Sequence, residues 1–353
     1  ALVITIIILL ILATISIQSL TNTGLFKRAQ EAKNATENAE LEQQTRLNDY
    51  ENALNGYYTP SPEQEIKLAD KVKVGDYVKY IPDTVSNTDE KYTTLISNLG
   101  TYSGSTANTT TTLTQEKDLN WRVLDIQNGQ VRLISEVPTT SKITLSGYNG
   151  YNNAVKLLDD TCSTLYNNSK LASKVQNLKI KDITDHMNTQ PNLDRTTYSP
   201  TTKYYPEILL KEKGQILNGT TGTELDVSEQ TEFINQTTKP QVNSWTLKKT
   251  YWSQTMNNTD SFTDAKYYEL FINNGSNHPT YWISSRCIRT DSDGAGFSVR
   301  IIGTSVVDAL DLCNSSDMEG SFECAFRPVI TLNSNVQVTS GDGSTAEQAY
   351  KIK

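Results

Sequence analysis

The first 20 residues, ALVITIIILLILATISIQSL, contain no charge, and the first charged side chain is Lys27. The stretch is apolar on every side, so as a helix it has no face suited to water. Twenty helical residues at about 1.5 Å each span about 30 Å, the depth of a bilayer's hydrocarbon core. β-branched Ile and Val would also suit a strand, but an unpaired strand in lipid would leave its backbone groups unsatisfied. The pattern therefore predicts a helix. After Thr21-Asn22-Thr23-Gly24 the chain turns polar. A second helical stretch is predicted from Leu25 to about Leu54. It has a thin apolar stripe at Ala32, Ala35 and Ala39, with Leu41 at its margin, and an acidic outer face at Glu31, Glu37, Glu40 and Glu42. Asn22 and Gly24 are poor helix formers and mark an expected melt or kink. Asn55-Gly56 is an expected stop, and Pro60-Ser61-Pro62 reads as a linker.

Beyond the linker the period changes from helical to alternating. Residues 72–80 predict a bent strand or strand pair. Residues 121–126 and 131–135 flank Asn128-Gly129, the strongest short-range signal for a hairpin. The polar stretch 101–116, with four consecutive Thr at 109–112, predicts an exposed loop. Residues 151–166 have helical spacing, with Ala154, Val155, Leu157, Leu158, Cys162 and Leu165 on one broad face. A short helix is expected over 178–187, and decorated loops over 188–243 with a short helix near 206–211. The last third returns to strands at 281–287, 297–302 and 326–332, then a turn at Gly341-Asp342-Gly343 and a final strand.

The chain's 353 residues suggest about two domains. A net charge of −8 argues against a nucleic-acid coat, which needs a basic face. Two His exclude multi-His metal sites, and Asp185-His186 reads as a surface or internally satisfied pair. Asp291-Ser292-Asp293-Gly294 opens like a calcium loop but has no closing Glu, so it reads as a turn. Arg286 and Arg327 lie in apolar strands, where pairing with a carboxylate or capping of carbonyls is expected. None of the Gly-x-Ser-x-Gly, Walker or His-Glu-x-x-His motifs occurs. The four Cys, Cys162, Cys287, Cys313 and Cys324, form no C-x-x-C pair. An even count in an exported chain makes them disulfide candidates, and Cys313 with Cys324 closes the shortest loop. Several N-x-[ST] sequons, Asn108 and Asn314 among them, indicate a polar, hydrated surface.

Residues 1–17 resemble the N-terminal helix of type IV pilins, most closely at Leu2-Val3-Ile4 and Ile11-Leu12-Ala13. In that alignment the sequence starts about four residues inside the mature protein. The family's early acidic residue falls on Ala1 and its helix-loosening Pro on Gln18. The order W-x-S-S-R-C, F-x-V-R, F-R-P-V-I-T-L resembles surface domains of Gram-positive bacteria that are distantly like C-type lectins. The fold class expected is α+β: a long N-terminal helix, apolar then amphipathic, followed by a β-rich globular head. The expected divisions are a pilin-like helix at 1–55, a linker at 56–66, an α+β part of the head at 67–190, a polar loop region at 191–243 and a β-rich part at 244–353. The resemblance implies a structural, non-enzymatic subunit of an extracellular type IV pilus filament at the cell surface, serving adhesion. Leu2, Ile4, Ile8, Ile11, Leu12, Ile15 and Ile17 would build the filament core. The implied partners are further copies of itself, the membrane before assembly, the pilus assembly machinery and a surface or glycan ligand for the head, with no nucleic acid. No cofactor and no metal is expected. The rival readings are a membrane-anchored adhesin that never polymerises and, third, an anchored extracellular enzyme.

Overall fold

The computed structural model describes residues 25–57, 66–110, 113–191, 197–198, 202–211, 228–243, 247–256, 259–272, 278–291 and 294–353. By internal contact the chain divides into two units, Ala1–Glu65 and Ile66–Lys353. The first contains helix α1, Leu25–Tyr57, of 33 residues. Its described side chains, Arg28, 31–36, 38–40 and 42–50, are all exposed. An Ala-based stripe is too thin to give this helix a dry face within its own unit.

The second unit carries seventeen described strands: β1 (Tyr77–Lys79), β2 (Trp121–Gln127), β3 (Gln130–Ser135), β4 (Lys142–Ser146), β5 (Ala172–Asn177), β6 (Thr197–Tyr198), β7 (Thr202–Tyr204), β8 (Gln241–Asn243), β9 (Leu247–Lys248), β10 (Gln254–Thr255), β11 (Tyr281–Thr290), β12 (Ala295–Ile302), β13 (Val306–Asn314), β14 (Ser321–Ala325), β15 (Pro328–Leu332), β16 (Val338–Ser340) and β17 (Tyr350–Ile352). Thirteen of them form two large sheets, a seven-stranded one in the order β16-β17-β1-β2-β3-β15-β5 and a six-stranded one in the order β10-β13-β12-β11-β14-β4. Its helices are short: α2 (Glu90–Tyr102), α3 (Ala107–Thr110), α4 (Gly147–Tyr166), α5 (Ile180–Thr184), α6 (Glu207–Lys211) and α7 (Ala265–Phe271).

The expected fold class is therefore corrected. The molecule is β-rich, with two large sheets and few short helices, and the longest helix of the second unit is the 20-residue α4. The expected long N-terminal helix, apolar then amphipathic, gives way to this β-rich architecture, and the part of it before Leu25 lies outside the described residues. Among the described residues no helix is long and apolar enough to cross a membrane.

Alternation explains how the sheets are buried. Along β2, Val123 and Leu124 enter two different apolar clusters. Leu133 and Ile134 on β3, Trp282 and Ile283 on β11, and Ile301 and Ile302 on β12 divide in the same way. Successive strand residues point to opposite faces, so both faces of these strands are covered. Tyr151, Leu157, Leu158, Cys162 and Leu165 of α4 belong to the larger cluster. The smaller includes Ile183 of α5 and Phe271 of α7.

The β2–β3 hairpin turns at Asn128 and Gly129, with φ of 51° and 74°. Left-handed values at both central residues match the strand twist, and Asn-Gly tolerates them best. The stretch expected as a loop at 101–116 is instead partly helical and partly buried. α2 runs through Tyr102, and α3 carries Asn108, which is 4 % exposed. Its amide donates to the Thr144 carbonyl at 2.8 Å and accepts from the Thr144 N–H at 2.9 Å. Thr144 lies on β4, an edge strand, and the Asn108 side chain stands where a further strand would pair.

The polar stretch after 191 is tied down where it is described. Asn153 of α4 donates to the Ile234 carbonyl at 2.6 Å and accepts from its N–H at 2.7 Å. Asn152 Oδ1 accepts from Ile208 N, and Asn149 Oδ1 accepts from Gln236 N. Three Asn on one helix thus fix backbone that has no sheet to join.

Candidate functional site

The expected core residues Leu2, Ile4, Ile8, Ile11, Leu12, Ile15 and Ile17, and the expected kink at Asn22 and Gly24, lie outside the described residues. What is described of the first unit is α1, where Leu47 and Tyr50 are 53 % and 69 % exposed.

A buried charge cluster of the second unit sits on the β2–β3 hairpin. Asp125 and Arg132 are cross-strand partners, placed symmetrically about the Asn128-Gly129 turn. Arg132 Nε donates to Asp125 Oδ1 at 2.7 Å, and its Nη2 donates to Asp125 Oδ2. Nη1 reaches Asp182 Oδ1 of α5 at 2.6 Å. The other Asp182 oxygen accepts from Lys179 N at 2.9 Å, so the same carboxylate also caps its own helix. His186 Nε2 lies 3.6 Å from Asp125 Oδ2, and its ring stacks on Tyr267 of α7 with centroids 3.8 Å apart. The His186 carbonyl accepts from Thr263 N at 2.8 Å. Burial alone would raise the Asp125 carboxyl, but hydrogen bonds from Arg132 and the neighbouring His186 outweigh it and bring the pKa down to about 2. The cluster joins the sheet to α5 through ionic contacts and to α7 through the His186–Tyr267 stack; its geometry is that of a structural clamp. The mirrored charges about Asn-Gly were the signal for this pair in the sequence; nothing local pointed to Asp182.

A second polar group lies at the α4–β5 side. Lys179 Nζ is 2.9 Å from Asp159 Oδ2, and Asp159 Oδ1 accepts from Asn177 N at 3.0 Å. Burial pushes the Asp159 carboxyl up despite Lys179. Asn177 Nδ2 donates to the Trp282 carbonyl and its Oδ1 accepts from Arg327 N, so Asn177 links the two sheets.

The buried arginines cap carbonyls. Arg327 donates to the carbonyls of Ser135 and Glu136 and to Tyr281 Oη at 3.2 Å. Arg286 Nη1 donates to the Asn152 carbonyl at 2.8 Å. At the Asp291 turn, Oδ1 accepts from Gly294 N at 2.8 Å. Among the described residues no three His, Cys, Asp or Glu are grouped to hold a metal ion.

All four cysteines are free and buried, which corrects their expected pairing. Cys313 bridges to Glu319, and Cys324 lies five residues further along. At about 3.3 Å per extended residue that is on the order of 15 Å, while a disulfide needs Cα atoms within about 7 Å. Cys313 and Cys324 close a short loop in sequence, but the strand keeps its ends apart. Burial pushes the Cys162 and Cys313 thiols far up and that of Cys324 to about 12.

Compared with protein-family models, curated proteins and solved structures, the chain has no match.

Proposed function

We propose that this chain is a structural subunit of an extracellular filament of the type IV pilus kind, serving adhesion or surface attachment. The observation that carries the reading is the uncharged apolar run of residues 1–20 leading directly into the exposed polar helix α1. Residues 1–17 offer on the order of 1,500 Å² of apolar area, so at about 25 cal/mol per Å² their exposure to water costs tens of kcal/mol. Lipid before assembly, and the same run in neighbouring copies after it, keep these residues dry throughout. The β-rich unit then supplies the outer surface, where a surface or glycan ligand would bind. The −8 charge fits no nucleic-acid role.

Ile8→Asp and Ile11→Asp test the reading. Each places an unpaired carboxylate in the dry run, at a cost of several kcal/mol. Electron microscopy of sheared surface material should show filaments for the parent chain and none for either variant, while the β-rich unit keeps its protease resistance. Unchanged filaments in the variants would overturn the core assignment. A parent chain that stays cell-bound without filaments would leave the anchored adhesin.

A further inference from the structure

We propose that Asp159 and Lys179 condense into an intramolecular amide, a covalent cross-link between α4 and the N-cap residue of α5. Lys179 Nζ lies 2.9 Å from Asp159 Oδ2. The two side chains are 12 % and 25 % exposed, less than any other Lys–carboxylate pair among the described residues. That difference decides the chemistry. In water such groups stay ammonium and carboxylate, and an ammonium has no lone pair to attack with. Burial makes two adjacent ions costly, and moving the proton from Nζ to the carboxylate leaves a neutral amine beside a neutral acid. The Asp159 carboxyl is already pushed up by burial despite Lys179. Lys239 at the surface shows the opposite case: Glu319 and Asp317 push it up to about 12 and hold it as an unreactive cation.

The surroundings suit the step. The Ser228 carbonyl accepts from Lys179 Nζ and orients it. Asn177 N–H donates to Asp159 Oδ1 at 3.0 Å, where negative charge gathers as the nitrogen adds to Cγ. Asp159 sits within α4, and the Lys179 backbone N–H is bound by Asp182 Oδ2, so the reacting groups are held together by fixed elements. In the step the Nζ lone pair forms a C–N bond to Cγ, and the C–OH bond breaks. The hydroxyl leaves as water with a proton from the nitrogen. Amine and acid thus give amide and water with no oxidant, reductant or co-reactant. The bond closes a ring over residues 159–179. β5 lies inside that ring at the edge of the seven-stranded sheet and pairs on one side only, with β15. An edge strand closed into a ring has less freedom to gain by peeling away.

Peptide mapping of the full chain recovered from cells tests the cross-link. After denaturation and reduction, trypsin should leave Lys179 uncut and release peptides 157–170 and 175–181 as one species, lighter than their sum by one water. Fragmentation should place the join between Asp159 and Lys179. Lys179→Arg keeps the positive charge but lacks the amine, and Asp159→Ala lacks the acid. Both variants should return peptide 157–170 alone, at full mass, with cleavage restored after position 179. A parent chain that yields 157–170 and 175–179 as separate peptides would overturn the proposal, and since that result is read on the parent, a variant that fails to fold does not obscure it. A loss of water that survives Lys179→Arg would mean a cyclic imide at an Asp and would overturn it as well.

Discussion

At the residue scale, one guanidinium holds two carboxylates in the Asp125–Arg132–Asp182 cluster, so the two kinds of damage to it differ. Arg132→Met leaves Asp125 and Asp182 facing each other, each less than a tenth exposed. Breaking a buried pair from one side costs about 3–5 kcal/mol, and urea unfolding at pH 7 should show a loss of that size. Acid acts differently. The Asp125 carboxyl titrates at about 2 in the folded chain against an ordinary value of 3.8. A depressed carboxylate stabilises fully above the ordinary value and loses its contribution as the pH falls through 4 toward 2. The part lost is about 2 kcal/mol, and denaturant midpoints at pH 5 and pH 2 measure it. In Asp125→Asn this part of the acid sensitivity should disappear. Only the hairpin was expected from the sequence, but a two-residue turn fixes its register, so the mirrored charges at Asp125 and Arg132 were there to be read. Asp182 and His186 were not, because their approach depends on where α5 packs against the sheet.

At the scale of elements, backbone geometry and edge capping decide. Gly129 has φ of 74°, and a Cβ there would meet nothing within 4 Å. Gly129→Ala should therefore cost only the left-handed penalty, about 1 kcal/mol. Gly341 has φ of 92°, and a Cβ would overlap the Ala349 carbonyl. Gly341→Ala should cost more than Gly129→Ala, and melting temperatures of the two variants side by side test that order. Asn108→Ala removes both bonds to Thr144 and leaves its half-buried backbone groups without them. That should cost about 2–4 kcal/mol and free the β4 edge for pairing with other chains, visible as concentration-dependent association. The turn glycines could be read from the sequence because their requirement is local. The role of Asn108 could not, since a Thr- and Asn-rich stretch looks like a solvated loop until a strand edge 36 residues away comes to meet it.

At the scale of the whole molecule, the apolar runs were legible as strands but their order in the sheets was not. β15 lies between β3 and β5, and β14 joins β11 to β4, so neighbours in space are often distant in sequence. Hydrophobic alternation states that a strand has two faces to cover and says nothing about which strand lies beside it. The four thiols report on the resulting body as a whole, since Cys162 lies on α4, Cys287 on β11, Cys313 on β13 and Cys324 on β14. Maleimide should label none of them readily in the native chain and all four in 6 M guanidinium without reductant; a disulfide would lower the second count by two. The parallel pairing of β1 with β17 has a further consequence, in time. Val78 pairs with Tyr350, 272 positions later. At about 5–20 residues per second a ribosome needs about 14–55 s to make the second partner after the first. Throughout that interval the nascent chain presents β1 and its apolar neighbours with one edge open. A sheet of this order closes late, and the chain must stay unfolded or shielded until then.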